Sequence, residues 1–217
     1  MMNRLPKHLY YADGAENQVE TLFVMESPHA DELQDNVSFP CVGKTGQNMT
    51  AKLCPEETQS LGLLIKAGDN EFVKKYALFE TFKFPLGLDI TDGLSDNELL
   101  WKEMKKLDRL HCTDNRFNHY ASLSEFFRQN ITVFPNTYQS CFERAIQTFI
   151  NLKEIVVCGF IAQAILMEVF GIPVPEYNIR RTTLFFNKNL DLCFICHPAR
   201  VRNWPYVARQ SQSILLP

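Results

Sequence analysis

No run of apolar residues in this sequence reaches the roughly 18 that a membrane-spanning helix needs. The opening stretch, MMNRLPKHLYYADGAENQ, lacks the apolar segment of a secretory signal. Basic charge is not in excess either. Lys and Arg number 22 against 25 Asp and Glu, a formal net charge of −3, so composition does not announce a nucleic-acid binder. Internal repeats and low-complexity tracts are absent. Cysteine is present in an odd number, seven, and is scattered. Several cysteines sit inside apolar runs such as EIVVCGF, the pattern of reduced, buried thiols in a cytoplasmic protein rather than of a disulfide framework.

What remains is the composition of one globular domain. The chain has 217 residues, 46% hydrophobic and 22% charged, enough to bury a full core as a single domain over 1–217. Continuous apolar runs at TLFVM (21–25), YALF within 75–84 and KEIVVCGF (153–160) read as strands buried on both faces. Helical patterns cover 46–68, interrupted at Pro55, then 97–110 with Asp96 as N-cap, 122–130, 141–150 and 161–171, where Gly171 ends the helix. The segment 111–120 reads as a polar loop. LFFN and LDLCFIC read as a hairpin turning at Lys188-Asn189, and WPYVARQSQSILL as a closing helix. Alternating strands and helices predict an α/β sheet covered on both faces, whose sites form at the carboxyl ends of the strands.

Gly43-Lys44-Thr45 in CVGKTGQNM has the ending of a phosphate-binding P-loop, but the spacing rejects it. The required glycine five residues earlier is Ser38, and the nearest strand ends at Met25, separated by a polar stretch. The strand ends are more informative. TLFVM is followed by Glu26-Ser27-Pro28-His29, YALF by Glu80-Thr81-Phe82-Lys83, and LCFIC by His197-Pro198-Ala199-Arg200. Ionisable groups at three strand ends are the layout of an active-site crevice, and Pro28 and Pro198 stiffen two of the loops.

Four ordered pieces, covering about residues 20–204, resemble the uracil-DNA glycosylase superfamily, most of all its iron–sulfur branch. Met25-Glu26-Ser27-Pro28-His29 matches a first motif G-E-A-P-G. Pro40-Cys41-Val42-Gly43-Lys44-Thr45-Gly46-Gln47-Asn48-Met49 matches P-F-V-G-x-A-G-x-x-L. CFERAIQTFINLKEIVVCGFIAQAIL resembles the family's helix–strand–glycine–helix segment. His197-Pro198-Ala199 matches a second motif H-P-A with basic residues after it. The resemblance implies a three-layer α/β/α fold around a mainly parallel sheet of four or five strands. It implies a DNA partner, a monomer, and hydrolysis of the N-glycosidic bond of a flipped nucleotide. Glu26 would stabilise positive charge on the sugar and His197 the base anion. Ser27, Pro28, His29, Cys41, Gly43, Gly46 and Glu80 would line the base pocket, Gly43 and Gly46 as its backbone wall. Lys44, Arg200 and Arg202 would face phosphates, and the loop from His197 to Trp204 would enter the minor groove with an apolar wedge.

Two positions depart from the family. Its base-stacking aromatic is Cys41 here, which leaves that role to Phe39 or Phe82. Its base-reading asparagine aligns with Glu80. An ionised carboxylate only accepts hydrogen bonds, which suits an exocyclic amine rather than uracil; a carboxyl protonated by burial, or a shift in the alignment, are the alternatives. The branch's cluster cysteines are missing before Cys41, so no iron–sulfur cofactor is expected. Cys193 and Cys196, three apart on a strand, point to opposite faces and do not share a metal. His111, Cys112 and His119 read as a polar loop, and the charges of NELLWKEMKKLDRL as a solvated helix face. Besides a glycosylase, the residues fit a non-catalytic nucleic-acid or nucleobase binder on the same fold, or hydrolysis of a free nucleoside.

Overall fold

The computed structural model describes residues 5, 7–33, 38–84, 86, 96–111, 116–130, 134–173, 176, 178–200 and 206. Six strands form one mixed sheet: β1 (Leu9–Tyr10), β2 (Thr21–Met25), β3 (Tyr76–Glu80), β4 (Glu154–Cys158), β5 (Arg180–Phe185) and β6 (Lys188–Ile195). The helices are α1 (Lys44–Leu53), α2 (Leu61–Ala67), α3 (Asp96–His111), α4 (Arg116–Asn130), α5 (Phe134–Thr148) and α6 (Phe160–Phe170). The spatial order is β1-β3-β2-β4-β6-β5. Strand β2 pairs in parallel with β3 and β4, and β4 in parallel with β6; the two edge strands are antiparallel to their neighbours.

Every residue of β2, β3 and β4 is buried, which is why these strands are apolar in sequence except at their ends, Thr21, Glu80 and Glu154. Their side chains alternate between two cores. Leu22 and Val24 join Ala77, Phe79 and apolar residues of α3–α6. Phe23 and Met25 join Leu78, Cys41, Met49 of α1 and Leu61, Leu64 and Ile65 of α2. Among the described residues no helix is long and apolar enough to cross a membrane.

The structure corrects several expectations. Six strands form the sheet, not four or five. Strand β1 is only two residues long, and β5 opens with the polar run Arg180-Arg181-Thr182-Thr183, so neither has a buried-strand signature. The hairpin turns at Phe186-Asn187, both at positive φ (46° and 66°), while Lys188 and Asn189 pair with Phe185 and Leu184 inside the ladder. The expected helix over 46–68 is two helices. Residues 116–120, expected as loop, open α4, because His119 and Tyr120 are buried there, both with ring contacts to Phe160 of α6. Helix α5 starts at Phe134, with Pro135 in its first turn, where a missing N–H costs nothing. Asp96 lies within α3. Gly171 ends α6 at φ 62°, as expected. The expected closing helix lies outside the described residues.

Candidate active site

Strand β2 has β3 on one side and β4 on the other, so the chain leaves it in one direction, returns, and continues in the other. In open α/β sheets ligands bind at such a reversal, outside the carboxyl ends of the strands, here those of β2 and β4. Glu26 follows β2 directly, at this point. It is 3% exposed, and both its carboxylate oxygens are engaged. Oε2 pairs with the Lys105 ammonium of α3 at 2.5 Å, and Oε1 accepts from the Ile161 N–H in the first turn of α6 at 3.3 Å. The carboxylate therefore rests on the positive end of an 11-residue helix. Gly159, at φ +94°, makes this possible: a Cβ there would fall within 3.0 Å of the Glu26 carboxyl group.

His197 follows β6. Its Nδ1 accepts from the Ala199 N–H at 3.2 Å, which in a neutral imidazole puts the proton on Nε2. The loop is anchored to α1 by Asn48, whose Nδ2 donates to the Pro198 carbonyl at 2.8 Å. The ends of β4 and β6 are joined behind it. Gly159 N–H donates to the Ile195 carbonyl at 3.0 Å, and Gln163 Nε2 donates to Ile195 and Val157 carbonyls at 2.6 and 3.0 Å. Tyr120 donates its hydroxyl hydrogen to Gln163 Oε1, which fixes the amide's orientation.

Two loops of the crevice are tied together by Glu32, a buried carboxylate in the short 3-10 turn Ala30–Leu33. It accepts from His29 N–H at 3.0 Å and Val42 N–H at 3.2 Å, with Gly43 N–H a further donor. His29 itself is exposed. Ser27 is half-buried and its Oγ accepts from Leu86 N–H at 3.4 Å, while Pro28 is buried.

Cys41 is buried at φ +56°, between α1 and α2. Its carbonyl accepts from Gly62 N–H at 2.9 Å, and it lies where a Cβ on Gly46 would be. The bare face of Gly46 is thus filled by the chain itself. Gly43 is exposed, with open space where a Cβ would go, and Lys44 is exposed at the start of α1. Of the aromatics considered for stacking, Phe82 is deep in the core, 4.7 Å from the Trp101 ring. Phe39 is half-buried, edge-on to Tyr10 at 4.8 Å.

Glu80 ends β3 opposite Met25 and is 1% exposed. Burial, then the negative charges of Glu32 and Glu26, push its carboxyl well above the usual range, which favours the protonated form. Burial likewise pushes Glu32 up, against its backbone donors. A raised carboxyl binds its proton more tightly folded than unfolded. Stability from Glu80 is complete below the ordinary value of 4.5 and is lost as pH rises toward the folded value. Wild-type stability should therefore fall with pH by up to about 1.4 kcal/mol per unit across that window. Glu80→Gln should flatten the slope, as urea unfolding at a series of pH values would show.

Sequence reasoning missed Glu32, Lys105, Asn48 and Gln163. Glu32 had a signal: a carboxylate three residues after a turn-opening residue can reach back to its N–H. Lys105 sits in a helix expected to present solvated charges. Instead its side chain is 13% exposed against Glu26, and Lys102 is buried too. Cys193 and Cys196 pack against the same core, because the strand ends at Ile195 and alternation stops there. Among the described residues no group of three or more His, Cys, Asp or Glu is placed to hold a metal ion. Arg202, Trp204 and Cys112 lie outside the described residues, as does the Arg200 side chain. Scanned against models of known protein families the chain matches none, and no curated protein matches it.

Proposed function

We propose that this protein hydrolyses the N-glycosidic bond of a damaged or modified base flipped from DNA. The observation that carries the proposal is the pairing of chemistry at the strand ends: a buried carboxylate, Glu26, and an imidazole, His197, whose Nδ1 accepts from Ala199 N–H, the two ends linked through Gly159 and Gln163. Bond cleavage builds positive charge on the sugar and negative charge on the departing base. Glu26 acts as a fixed negative charge opposite the sugar; with Lys105 and Ile161 holding both oxygens, it orients rather than abstracts. The His197 Nε2–H donates to the base as its charge grows. Lys44, Arg200 and Arg202 supply phosphate contacts, and the protein works as a monomer without a cofactor. A three-layer α/β/α arrangement in one domain belongs to the same reading. The separate cores on the two sides of the sheet support it.

A second reading, a non-catalytic base or nucleic-acid binder on this fold, is favoured by the saturation of Glu26 and by the buried thiol at position 41. One experiment separates them. Single- and double-stranded oligonucleotides carrying uracil, hypoxanthine, xanthine or modified cytosines are incubated with protein, then treated with alkali to cut abasic sites. Wild type should release a base, and His197→Ala should do so on the order of 10²- to 10³-fold more slowly, as when one anion-stabilising donor is removed. Retained DNA binding without release of any base supports the binder instead.

A further inference from the structure

The two edges of the sheet are not alike. Strand β1 is two residues long, too short to seat another chain. Strand β5 runs for six residues and pairs with β6 over its whole length without a bulge, from Arg180 opposite Cys193 to Phe185 opposite Lys188. It is outermost in the strand order, and among the described residues no strand pairs with its outer side. A strand so placed turns a row of N–H and C=O groups outward. Folded proteins blunt such edges with proline, bulges, brevity or inward-pointing charges. From Thr182 to Phe185 the strand has none of these.

The side chains along this edge say what fits it. Phe185 enters the larger core, so alternation puts Thr183 and Arg181 on its face and Leu184, Thr182 and Arg180 on the other. Arg180 turns in to the buried Glu154 carboxylate and lies over the Tyr206 ring, 5.7 Å from its centroid. Leu184 turns out: it is 66% exposed. Arg181 is exposed and pairs with Glu176, also exposed, at 2.8 Å. An ion pair this open contributes only about 0–1 kcal/mol, so another carboxylate can exchange for Glu176. The strand itself carries two guanidiniums and no acid. Two copies joined along this edge would bring their guanidiniums to one seam, whereas an acidic strand is attracted to it.

We propose that the outer edge of β5 takes up an extended segment of a partner protein as an added antiparallel strand, with an apolar residue opposite Leu184 and, three positions further along, an acidic residue opposite Arg181. Main-chain hydrogen bonds supply the affinity, and these two side chains supply the choice of sequence. The function is recruitment, and it is independent of the glycosidic reading. Strand β5 stands three places from β2 in the strand order, so the added strand leaves Glu26 uncovered.

The probe is a fluorescein-labelled peptide, Ser-Val-Thr-Val-Glu-Ser, titrated against the full chain and followed by anisotropy. Its first Val faces Leu184 and its Glu faces Arg181. Binding should saturate. Arg181→Glu should weaken it about tenfold or more by opposing like charges, and a peptide with Lys in place of Glu should recover most of that loss. Leu184→Lys should also weaken it. Both side chains are exposed, so both variants should melt with wild type. Two further peptides test strand pairing on wild type alone, each N-methylated at alternate residues in one of the two frames. The frame that turns its methyl groups toward β5 should abolish binding, and the frame that turns them to water should largely keep it. Failure of the probe to bind, the same response to both methylated frames, or indifference to Arg181→Glu would overturn the proposal. So would a dimer of the free protein that Leu184→Lys dissociates, which would give the edge to a second copy.

Discussion

Gly46→Ala should destabilise the protein by about 3 kcal/mol or more, at or beyond the upper end of ordinary overpacking. In a chain of this size that lowers Tm by roughly 6–12 °C. A Cβ at Gly46 would lie 2.7 Å from the Cys41 carbonyl carbon and closer still to its oxygen, with Ser60 Cβ at 3.0 Å. The obstacle is backbone, so no side-chain rotation relieves it. Nor can the backbone shift freely, because the Cys41 carbonyl accepts from Gly62 N–H and Gly62 presses on Pro40 and Cys41 from the other side. Two glycines on two helices clasp one peptide. Gly43→Ala is the control: its Cβ meets open space and its φ is −95°, so stability should move by no more than about 0.5 kcal/mol. Calorimetry on both variants checks the pair. If Gly46→Ala melts with wild type, the clasp is wrong and the glycine is free to serve a ligand.

Lys105→Met should be nearly as damaging, for an electrostatic reason. The Lys105 and Glu26 side chains are 13% and 4% exposed. Removing the ammonium leaves a buried carboxylate with the Ile161 N–H and the α6 dipole as compensation, a loss of about 3–5 kcal/mol. Glu26→Gln removes the charge that Lys105 serves, so the double variant should be more stable than the sum of the single losses predicts. A coupling of at least about 1.5 kcal/mol in a double-mutant cycle is expected from denaturant unfolding. Additive losses would mean that the pair does not hold α3 to the strand end. If the proposed glycosidic activity holds, base release separates stability from chemistry: Glu26→Gln should lose it even at temperatures where the variant is fully folded.

The central strands were legible because burial on both faces favours apolar residues: TLFVM is a strand to the residue, KEIVVCGF contains β4 with one residue too many before it and two after, and YALF lies within β3. The same logic hides other elements. Arg180 belongs to β5 because its guanidinium meets the buried Glu154 carboxylate, a contact 26 residues away that no local pattern encodes. His119 is polar by type and buried in fact, which broke the apolar period of α4. Phe186 adopts a positive φ that turn statistics reserve largely for Gly, Asn and Asp, so the hairpin was placed two residues late. At the site, the residues that follow strands could be named from sequence, since strand ends are where loops begin. Their partners could not. Lys105 reaches Glu26 across 79 positions and Asn48 reaches Pro198 across 150, distances that only the folded chain closes.

The order of strands in the sheet has a consequence for how this polypeptide is born. Strand β2 sits between β3 and β4, and both are made after it. From Met25 to Glu154 the ribosome must add more than a hundred residues, which at 5–20 residues per second takes roughly 6–26 s. Throughout that interval TLFVM has at most one neighbour in place, and one edge of its backbone is open to any strand nearby. A nascent chain of this design needs shelter, and chaperone contact during synthesis should concentrate on this segment until β4 emerges.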